Sequence, residues 1–429
     1  MWLALVGLGA LLLGVTAARA DDAQERRSES LSGELLEWEH EEVEETRSLE
    51  WSWGDGTGFR VRSADGSRRL HLGGRLLLDG GLIHYGDDLA PRADSGWDAE
   101  GEVRQARLFV QGSVFRRLLF KVEYEVADTE FKDVYVGLRK LGPLGTLQVG
   151  YMGEPFSLEQ RMSTLHITFM ERSLMNALVP HRNSGLLLTN TLFGDRLRWA
   201  LGAFVIVDSF QERKDPAEGF EDDWEITGRF TGVLLEEDDG RHLLTAGLSY
   251  SHTFADAENV TYETRPESFL AKALLETPPI DQVDGQDRVG LEAAWVRGPF
   301  SIQAEAVALQ IDRGSGSDLT FWGGYLQASH FLTGEHRIYG KKVGLFTRVV
   351  PSEPFRWGGG TWGAFEVAAR LSYLDLDDHD VRGGRELNAT VGLNWYLLAN
   401  MRMTLNAIFA HVRSADDAFI LQARFQVDF

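Results

Sequence analysis

Strand-like segments recur along most of this chain. From residue 70 to the C-terminus, apolar and polar residues alternate in sixteen short segments. A period of two places apolar side chains on one face of a strand and polar side chains on the other. In the last segment Phe419, Leu421 and Phe425 share one face, while Gln422 and Arg424 share the other. The pattern predicts an all-β fold. The segments span 70–85, 102–113, 117–127, 131–139, 145–151, 185–192, 197–207, 223–236, 242–252, 287–297, 299–312, 320–332, 362–376, 386–398, 401–412 and 417–429.

Apolar and polar residues would also alternate along the strands of a soluble β-sandwich. The lengths of the segments and of their connections distinguish a membrane barrel from it. Segments of about ten residues with a continuous apolar face are typical of barrel strands that cross a bilayer. Short turns also alternate with long loops along the chain, as they do in such barrels. The long loops are 86–101, 152–184, 208–222, 253–286 and 377–385. We therefore predict a 16-stranded antiparallel transmembrane β-barrel. The 333–361 connection is an exception, because it is long but falls on the short-turn side.

The N-terminal region predicts export. Residues 1–20 form an apolar run that ends in Ala18-Arg19-Ala20, which indicates a signal peptide cleaved after Ala20. The run lacks an early Lys or Arg, and a short membrane anchor is the competing interpretation. Residues 21–57 form an acidic periplasmic segment that we expect to be mobile, with a coiled coil as the alternative. Residues 58–429 are assigned to the barrel, in the outer membrane of a Gram-negative-type bacterium and surrounded by its lipid.

Composition excludes several classes of function. The net charge of −22 argues against nucleic-acid binding. The absence of cysteine excludes disulfides and thiolate metal sites. The chain has neither a G-x-S-x-G nor an H-E-x-x-H motif. We therefore predict no catalytic residues, no cofactor and no metal site.

One long connection is rich in apolar residues. The stretch 151–185 shows neither sustained alternation nor a capped helical pattern. It nevertheless carries apolar side chains that need a packing surface, namely Phe156, Leu158, Phe169, Met170, Leu174 and Leu178. Long connections of this kind are usually functional. We expect a loop folded into the barrel, with a surface lid as the alternative. Residues 269–275, in the long loop 253–286, are a second segment that could pack inward.

Motifs within this connection resemble those of a known family. EPFSLE, TFMERS and ALVPHRNSG, in that order, are similar to the third loop of the phosphate-selective porin O and P family. The similarity continues through GRLLLD, VRQARLFVQG, FKVEYEV and FKDVYVG, which lie at 74–79, 103–112, 120–126 and 131–137. The resemblance implies that the third loop, 152–184, folds into the lumen as a constriction. It also implies a homotrimer that passes small anions such as phosphate or polyphosphate.

The polar strand faces and the third loop supply candidates for pore-lining and anion-binding residues. They are Arg75, Arg104, Arg107, Lys121, Asp133, Arg161, Arg172, Arg182, Arg229 and Arg370. Anion pores need arginine or lysine at their narrowest point, because guanidinium groups match phosphate oxygens. The resembling family has an arginine pair on its second strand, where this chain has Arg104-Gln105, and often a lysine where this chain has Gly153. Inward carboxylates are at least as numerous as inward bases, so a wall of cross-strand ion pairs is the alternative.

These observations lead to one expected function and two alternatives. The expected function is a porin for passive diffusion of small hydrophilic solutes, with phosphate implied by the resemblance. A general porin of weak or cationic preference is the first alternative, and the acidic balance supports it. A structural outer-membrane tether is the second, and it would require an ordered coiled coil in the N-terminal segment.

Overall fold

The computed structural model describes residues 49–54, 58–86, 89, 96–207, 223–413 and 415–429. The predicted signal peptide and most of the acidic segment therefore lie outside the described residues. The described residues within 50–62 and 66–429 form one compact unit. Leu49 and residues 63–65 belong to a second unit, in which Ser63 donates a hydrogen bond to Asp65.

Sixteen strands form the barrel. They are β3 (Arg69–Tyr85), β4 (Gly96–Val114), β5 (Leu118–Glu125), β6 (Glu130–Leu138), β7 (Thr146–Gly153), β8 (Arg182–Leu192), β9 (Leu197–Val205), β10 (Trp224–Glu237), β11 (His242–Val260), β14 (Ile280–Arg297), β15 (Phe300–Arg313), β16 (Leu319–Phe331), β19 (Ala364–Asp378), β20 (Val381–Leu398), β21 (Met401–Val412) and β22 (Asp417–Asp428). Two strands precede them, β1 (Leu49–Gly54) and β2 (Gly58–Ser63). Two small hairpins lie in connections, β12–β13 (Glu263–Thr264, Leu275–Glu276) and β17–β18 (Tyr339–Gly340, Leu345–Phe346).

The ring closes between its first and last strands. Each barrel strand pairs antiparallel with the next one in the chain, and β22 pairs with β3 from Ala418↔Tyr85 to Asp428↔Arg75. Closure leaves no barrel edge exposed, which a bilayer requires because it offers no water to unpaired backbone groups. Outside the ring, β2 pairs with the start of β3, and β1 pairs with β2. The prediction of a 16-stranded antiparallel β-barrel is confirmed.

The two faces of each strand differ as the alternation predicts. Val391 is 59% exposed and Leu421 36%, whereas their neighbours Thr390 and Gln422 are 2% exposed each. Apolar side chains face outward around the ring, and polar side chains face the interior. The inward residues are more buried than those of a water-filled lumen would be, because connections fill much of the interior.

Several strands extend beyond the predicted segments at the long-loop end. β4 begins at Gly96, β11 continues to Val260, and β14 begins at Ile280. The prediction of a long loop at 377–385 is wrong, since β19 and β20 pair up to Asp378↔Val381 and leave a two-residue turn. The apolar alternation stops there because strands outside the bilayer have no lipid to face, while backbone pairing continues.

Helical structure is sparse in the part of the chain that the structure describes. One short helix, α1 (Leu158–Arg161), and a 3-10 segment (Leu174–Leu178) lie in the connection between β7 and β8. Among the described residues, no helix has the length and apolar character needed to cross a membrane.

Candidate functional site

The connection between β7 and β8, residues 154–181, is called loop three here, and it lies inside the barrel. The six apolar residues noted in the sequence are each no more than 1% exposed, namely Phe156, Leu158, Phe169, Met170, Leu174 and Leu178. Phe156, Leu174 and Leu178 pack against inward side chains of the wall and against the connection between β11 and β14, residues 261–279, called loop five here. Leu274 and Leu275 of loop five are buried in the same core.

A wall carboxylate holds the start of loop three. Glu305 of β15 accepts hydrogen bonds from Ser157 Oγ at 2.7 Å, from the Leu158 backbone N–H at 2.8 Å and from the Glu159 N–H at 2.7 Å. The two N–H groups belong to the first turn of α1, where no carbonyl of the helix can accept from them. They therefore need other acceptors when they are buried. Glu305 therefore fixes both the position and the direction of this turn.

Wall arginines hold the rest of the loop. Arg402 donates to the Ile167 carbonyl at 2.8 Å, and Arg424 donates to the Met170 carbonyl. Arg424 also forms an ion pair with Glu171 at 2.6 Å. Because β15, β21 and β22 supply these anchors, this part of the wall holds loop three in place.

A cavity of about 700 Å³ lies between loop three and β3–β8. The tip of loop five, residues 263–269, also lines it. Its basic lining residues are Arg75, Arg104, Arg107, Lys121, Lys132, Arg161, Arg172, Arg182 and Arg265, and its acidic ones are Glu123, Asp128, Asp133, Glu154, Glu171, Glu263 and Glu267. The lining is therefore mixed in sign, with a small excess of bases in a strongly acidic chain.

Two β-bulges bring consecutive residues to the cavity. On β4 the pairing with β3 passes from Gln105 to Val103 and omits Arg104. On β6 the pairing with β5 passes from Val134 to Phe131 and omits Lys132 and Asp133. A bulge interrupts the strict in–out alternation of a strand. Both members of each pair, Arg104-Gln105 and Lys132-Asp133, accordingly line the cavity.

Most lining bases are paired with carboxylates. Lys121 and Arg182 share Asp133, at 2.6 and 2.9 Å. Arg75 pairs with Glu123 at 2.7 Å. Arg107 of β4 pairs with Glu125 of β5 at 2.6 Å. These pairs neutralise much of the basic charge that the sequence places on the wall.

Glu171 of loop three neutralises two further bases. Its carboxylate accepts two hydrogen bonds from Arg104, at 2.9 and 3.1 Å, and also faces Arg424. Burial would raise the pKa of Glu171, but Arg104 and Arg424 outweigh it and lower the pKa to about 2. Glu171 is therefore ionised throughout the physiological range.

Two arginines of loop three face the cavity without a carboxylate partner. Arg172 donates to the backbone carbonyls of Glu159, Gln160 and Met162 at 2.9–3.2 Å. Arg161 donates to the Gly153 carbonyl. Neither forms an ion pair with any described carboxylate. Burial lowers the pKa of Arg172 to about 10, which leaves it charged at neutral pH.

The acidic residues of loop three do not offset these two charges. Glu159 faces away from the cavity and pairs with Arg370 at 3.1 Å. Glu154 accepts hydrogen bonds from Asn183 and Thr227. Burial, followed by the nearby Glu225, raises the pKa of Glu154 to about 8, so it is mostly protonated at neutral pH.

Eight of the ten candidate residues line the cavity, and two do not. Arg229 is bound by Glu292 at 2.7 Å, and Arg370 pairs with Glu267 and Glu159. Both are structural ion pairs beneath the loops. Sequence reasoning missed Lys132, because alternation pointed it outward. It also missed Arg265, which stacks on Phe269 at 4.6 Å in loop five.

The long 333–361 connection lies at the short-turn end, where it also enters the barrel. Tyr339 and Phe346 of its hairpin pack in a cluster with Leu158, Met162 and Ile167 of loop three. Arg337 lies 4.1 Å from the Phe346 ring and donates to Gln303 of the wall. Its length is thus explained by a packing role beneath loop three.

Comparisons with known proteins agree with this architecture. A protein of Caulobacter vibrioides that has no assigned function is 28% identical over 349 residues, which cover 80% of this chain and 68% of the relative. Porin O of Pseudomonas aeruginosa is 23% identical over 384 residues, which cover 79% of this chain and 82% of the relative.

Solved structures share the fold. An anion-selective porin from Comamonas acidovorans superposes with a TM-score of 0.51 at 14% identity, over 84% of this chain and all of the other. The family model for phosphate-selective porin O and P matches residues 78–429. This chain belongs to the phosphate-selective porin O and P family.

Proposed function

We propose that this porin passes small hydrophilic solutes with a preference for anions, phosphate among them. The observation that carries the proposal is the pair Arg161 and Arg172. They present charge to the cavity without a carboxylate partner, while burial raises the pKa of Glu154 and Glu171 is paired. Guanidinium groups bind phosphate oxygens through several hydrogen bonds at once.

The unpaired acids of the lining lie elsewhere. Asp128 and Glu263 are exposed in connections at the long-loop end, and neither forms an ion pair among the described residues. An anion that passes this mouth would meet net positive charge beside loop three. We infer that the preference for anions arises at loop three.

Reversal potential in a salt gradient tests the proposal. We expect the wild-type channel to favour chloride over potassium, and millimolar phosphate to reduce the chloride current. The double variant Arg161→Gln/Arg172→Gln should lose both effects. Arg196→Gln/Arg297→Gln is the matched control, because both arginines are exposed at short turns outside the cavity. Chloride current that ignores phosphate in the wild type would contradict the phosphate proposal.

A general porin with a weak cationic preference is the second candidate. The net charge of −22 and the exposed Asp128 and Glu263 favour it. A wild-type reversal potential on the potassium side would select this candidate.

Assembly and placement complete the proposal. We place the short turns in the periplasm and the long loops outside, as in other outer-membrane barrels, and we propose export through cleavage after Ala20. A homotrimer is proposed on the family resemblance. Chemical crosslinking of the outer-membrane fraction would test it, and a single monomer band would contradict it.

A further inference from the structure

The short-turn end of β2–β6 carries a cluster of exposed bases. We define the basic rim as Arg60, Arg69, Arg117 and Lys140, all exposed. The turns that carry them are adjacent. The Arg116 N–H donates to the Ser67 carbonyl at 3.0 Å, and the Arg139 N–H donates to the Arg117 carbonyl at 2.8 Å. The four charges therefore follow one continuous stretch of the barrel end.

The basic rim has no internal counter-charge. None of its four members forms an ion pair with a described carboxylate, whereas the neighbouring Arg62 pairs with Glu50 at 2.7 Å. The turn after β10 shows the opposite composition, with Glu236, Glu237, Asp238 and Asp239 in sequence. The short-turn end is thus basic on one side and acidic on another, within a chain of net charge −22.

Apolar side chains adjoin the rim. Phe115 is 71% exposed and Leu144 is 53% exposed, and Leu118 and Leu138 are exposed beside them. Bases directly next to an outward apolar band lie at the depth of lipid headgroups, with their stems along the hydrocarbon. The rim therefore faces the membrane boundary, and its members lie outside the lining of the cavity.

The turn between β4 and β5 keeps bulky side chains at a conformational cost. Phe115 and Arg116 both have positive φ, 53° and 57°. Two-residue hairpin turns with positive φ at both positions favour Asn-Gly, because a Cβ is disfavoured in that region. This turn places an aromatic ring and a base at the membrane boundary instead.

We propose that the basic rim binds the phosphate groups of anionic phospholipids in the periplasmic leaflet. The inference rests on the orientation given in the proposed function. A second copy of this rim would be repelled by like charge, and free phosphate would leave the adjoining apolar side chains without a partner. An anionic lipid satisfies both parts, since its phosphate meets the bases while its acyl chains meet Phe115 and Leu144.

Lipid counting on the intact protein tests the proposal. The full chain in detergent is titrated with phosphatidylglycerol or phosphatidylcholine, and bound lipids are counted by native mass spectrometry. Each base near an anionic headgroup is worth roughly fivefold in affinity. We expect the wild type to prefer phosphatidylglycerol, and Arg69→Gln/Arg117→Gln/Lys140→Gln to lose that preference. Channel conductance should stay at the wild-type value, which also reports that the variant is folded.

A control with matched charge separates the site from net charge. Arg196→Gln/Arg297→Gln/Lys342→Gln removes three exposed bases from other connections at the short-turn end and should keep the preference for phosphatidylglycerol. An equal loss in this control would overturn the proposal, as would an undiminished preference in the rim variant. Competition by millimolar inorganic phosphate would also overturn it, since the rim would then be a site for free phosphate. Failure of the proposed anion preference would leave this result unaffected, because conductance and lipid binding are read separately.

Discussion

At the scale of single residues, the ion pairs around Glu171 show why a count of charges predicts selectivity poorly. The sequence places several bases and several acids on the inward faces, and their sum is nearly neutral. The structure pairs Arg104 with Glu171 and Arg107 with Glu125. Buried pairs of this kind position side chains and loops, and contribute little net charge to a passing ion. A passing ion therefore interacts mainly with the charged side chains that have no ion-pair partner.

Two adjacent residues of β7 test the assignment of faces. Val149 faces outward and is 41% exposed, whereas Gln148 lines the cavity. Val149→Arg should cost ~2–4 kcal/mol of unfolding free energy if the site lies near the bilayer midplane. Gln148→Arg should cost far less, because its charge is hydrated in the cavity. Reversible unfolding in lipid vesicles measures both, and equal costs would show that the strand faces are wrongly assigned.

Inward positions beneath the loops are unsuitable for this comparison. Thr390 and Gln422 also face inward, but each is 2% exposed. Thr390 donates to Glu267, and Gln422 donates to the Glu267 carbonyl. Arginine at either position would displace loop five, although the sequence pattern alone suggests an open lumen there.

The protonation of Glu154 predicts a pH dependence of stability. Its pKa is raised from 4.5 to about 8, so the folded protein holds a proton that the unfolded chain releases. This contribution to stability is complete below pH ~4.5 and is lost as the pH rises through about 8. We expect the unfolding free energy to fall between about pH 4.5 and about pH 8, where the folded protein holds this proton and the unfolded chain does not. Glu154→Gln, which mimics the protonated form, should flatten this limb; an identical fall in the variant would exclude Glu154 as its source.

At the scale of elements, loop three behaves as a fixed partition. Deleting 163–177 should raise the unitary conductance, because the barrel ring is complete without it. Stability should fall, since Arg402 and Arg424 lose the Ile167 and Met170 carbonyls that now bind them. Planar-bilayer recordings measure the first effect, and the heat-modified gel mobility confirms folding. An unchanged conductance in a folded variant would mean that loop three does not limit the current.

The elements also show what sequence could and could not predict. Alternation located all sixteen strands, because the bilayer demands apolar outward residues on each. It failed at 377–385, where the strands extend into water and Asp375 pairs with Arg385 at 2.9 Å. It also failed at the bulges of β4 and β6, since backbone pairing, not hydrophobicity, decides where a bulge falls. The inward path of 333–361 depends on contacts with loop three, which no local pattern encodes.

At the scale of the whole molecule, net charge and local charge act over different distances. The chain carries −22 in total, while Arg161 and Arg172 lie at the cavity surface where an ion makes contact. The Debye length is ~30 Å at 0.01 M salt and ~3 Å at 1 M. Distant carboxylates therefore influence a passing ion in dilute salt and become screened in concentrated salt. Groups in direct contact with the ion are screened much less.

This difference predicts how selectivity changes with salt. The ratio of chloride to potassium permeability should rise as salt is increased from ~0.01 M to ~1 M, because screening removes the acidic background and leaves the arginines. In Arg161→Gln/Arg172→Gln the ratio should rise much less with salt, since among the described lining bases only Arg265 of loop five then lacks a carboxylate partner. Reversal potentials at a fixed concentration ratio and several absolute concentrations measure this. A ratio that falls with salt in the wild type would show that anion preference comes from long-range charge and not from the two arginines.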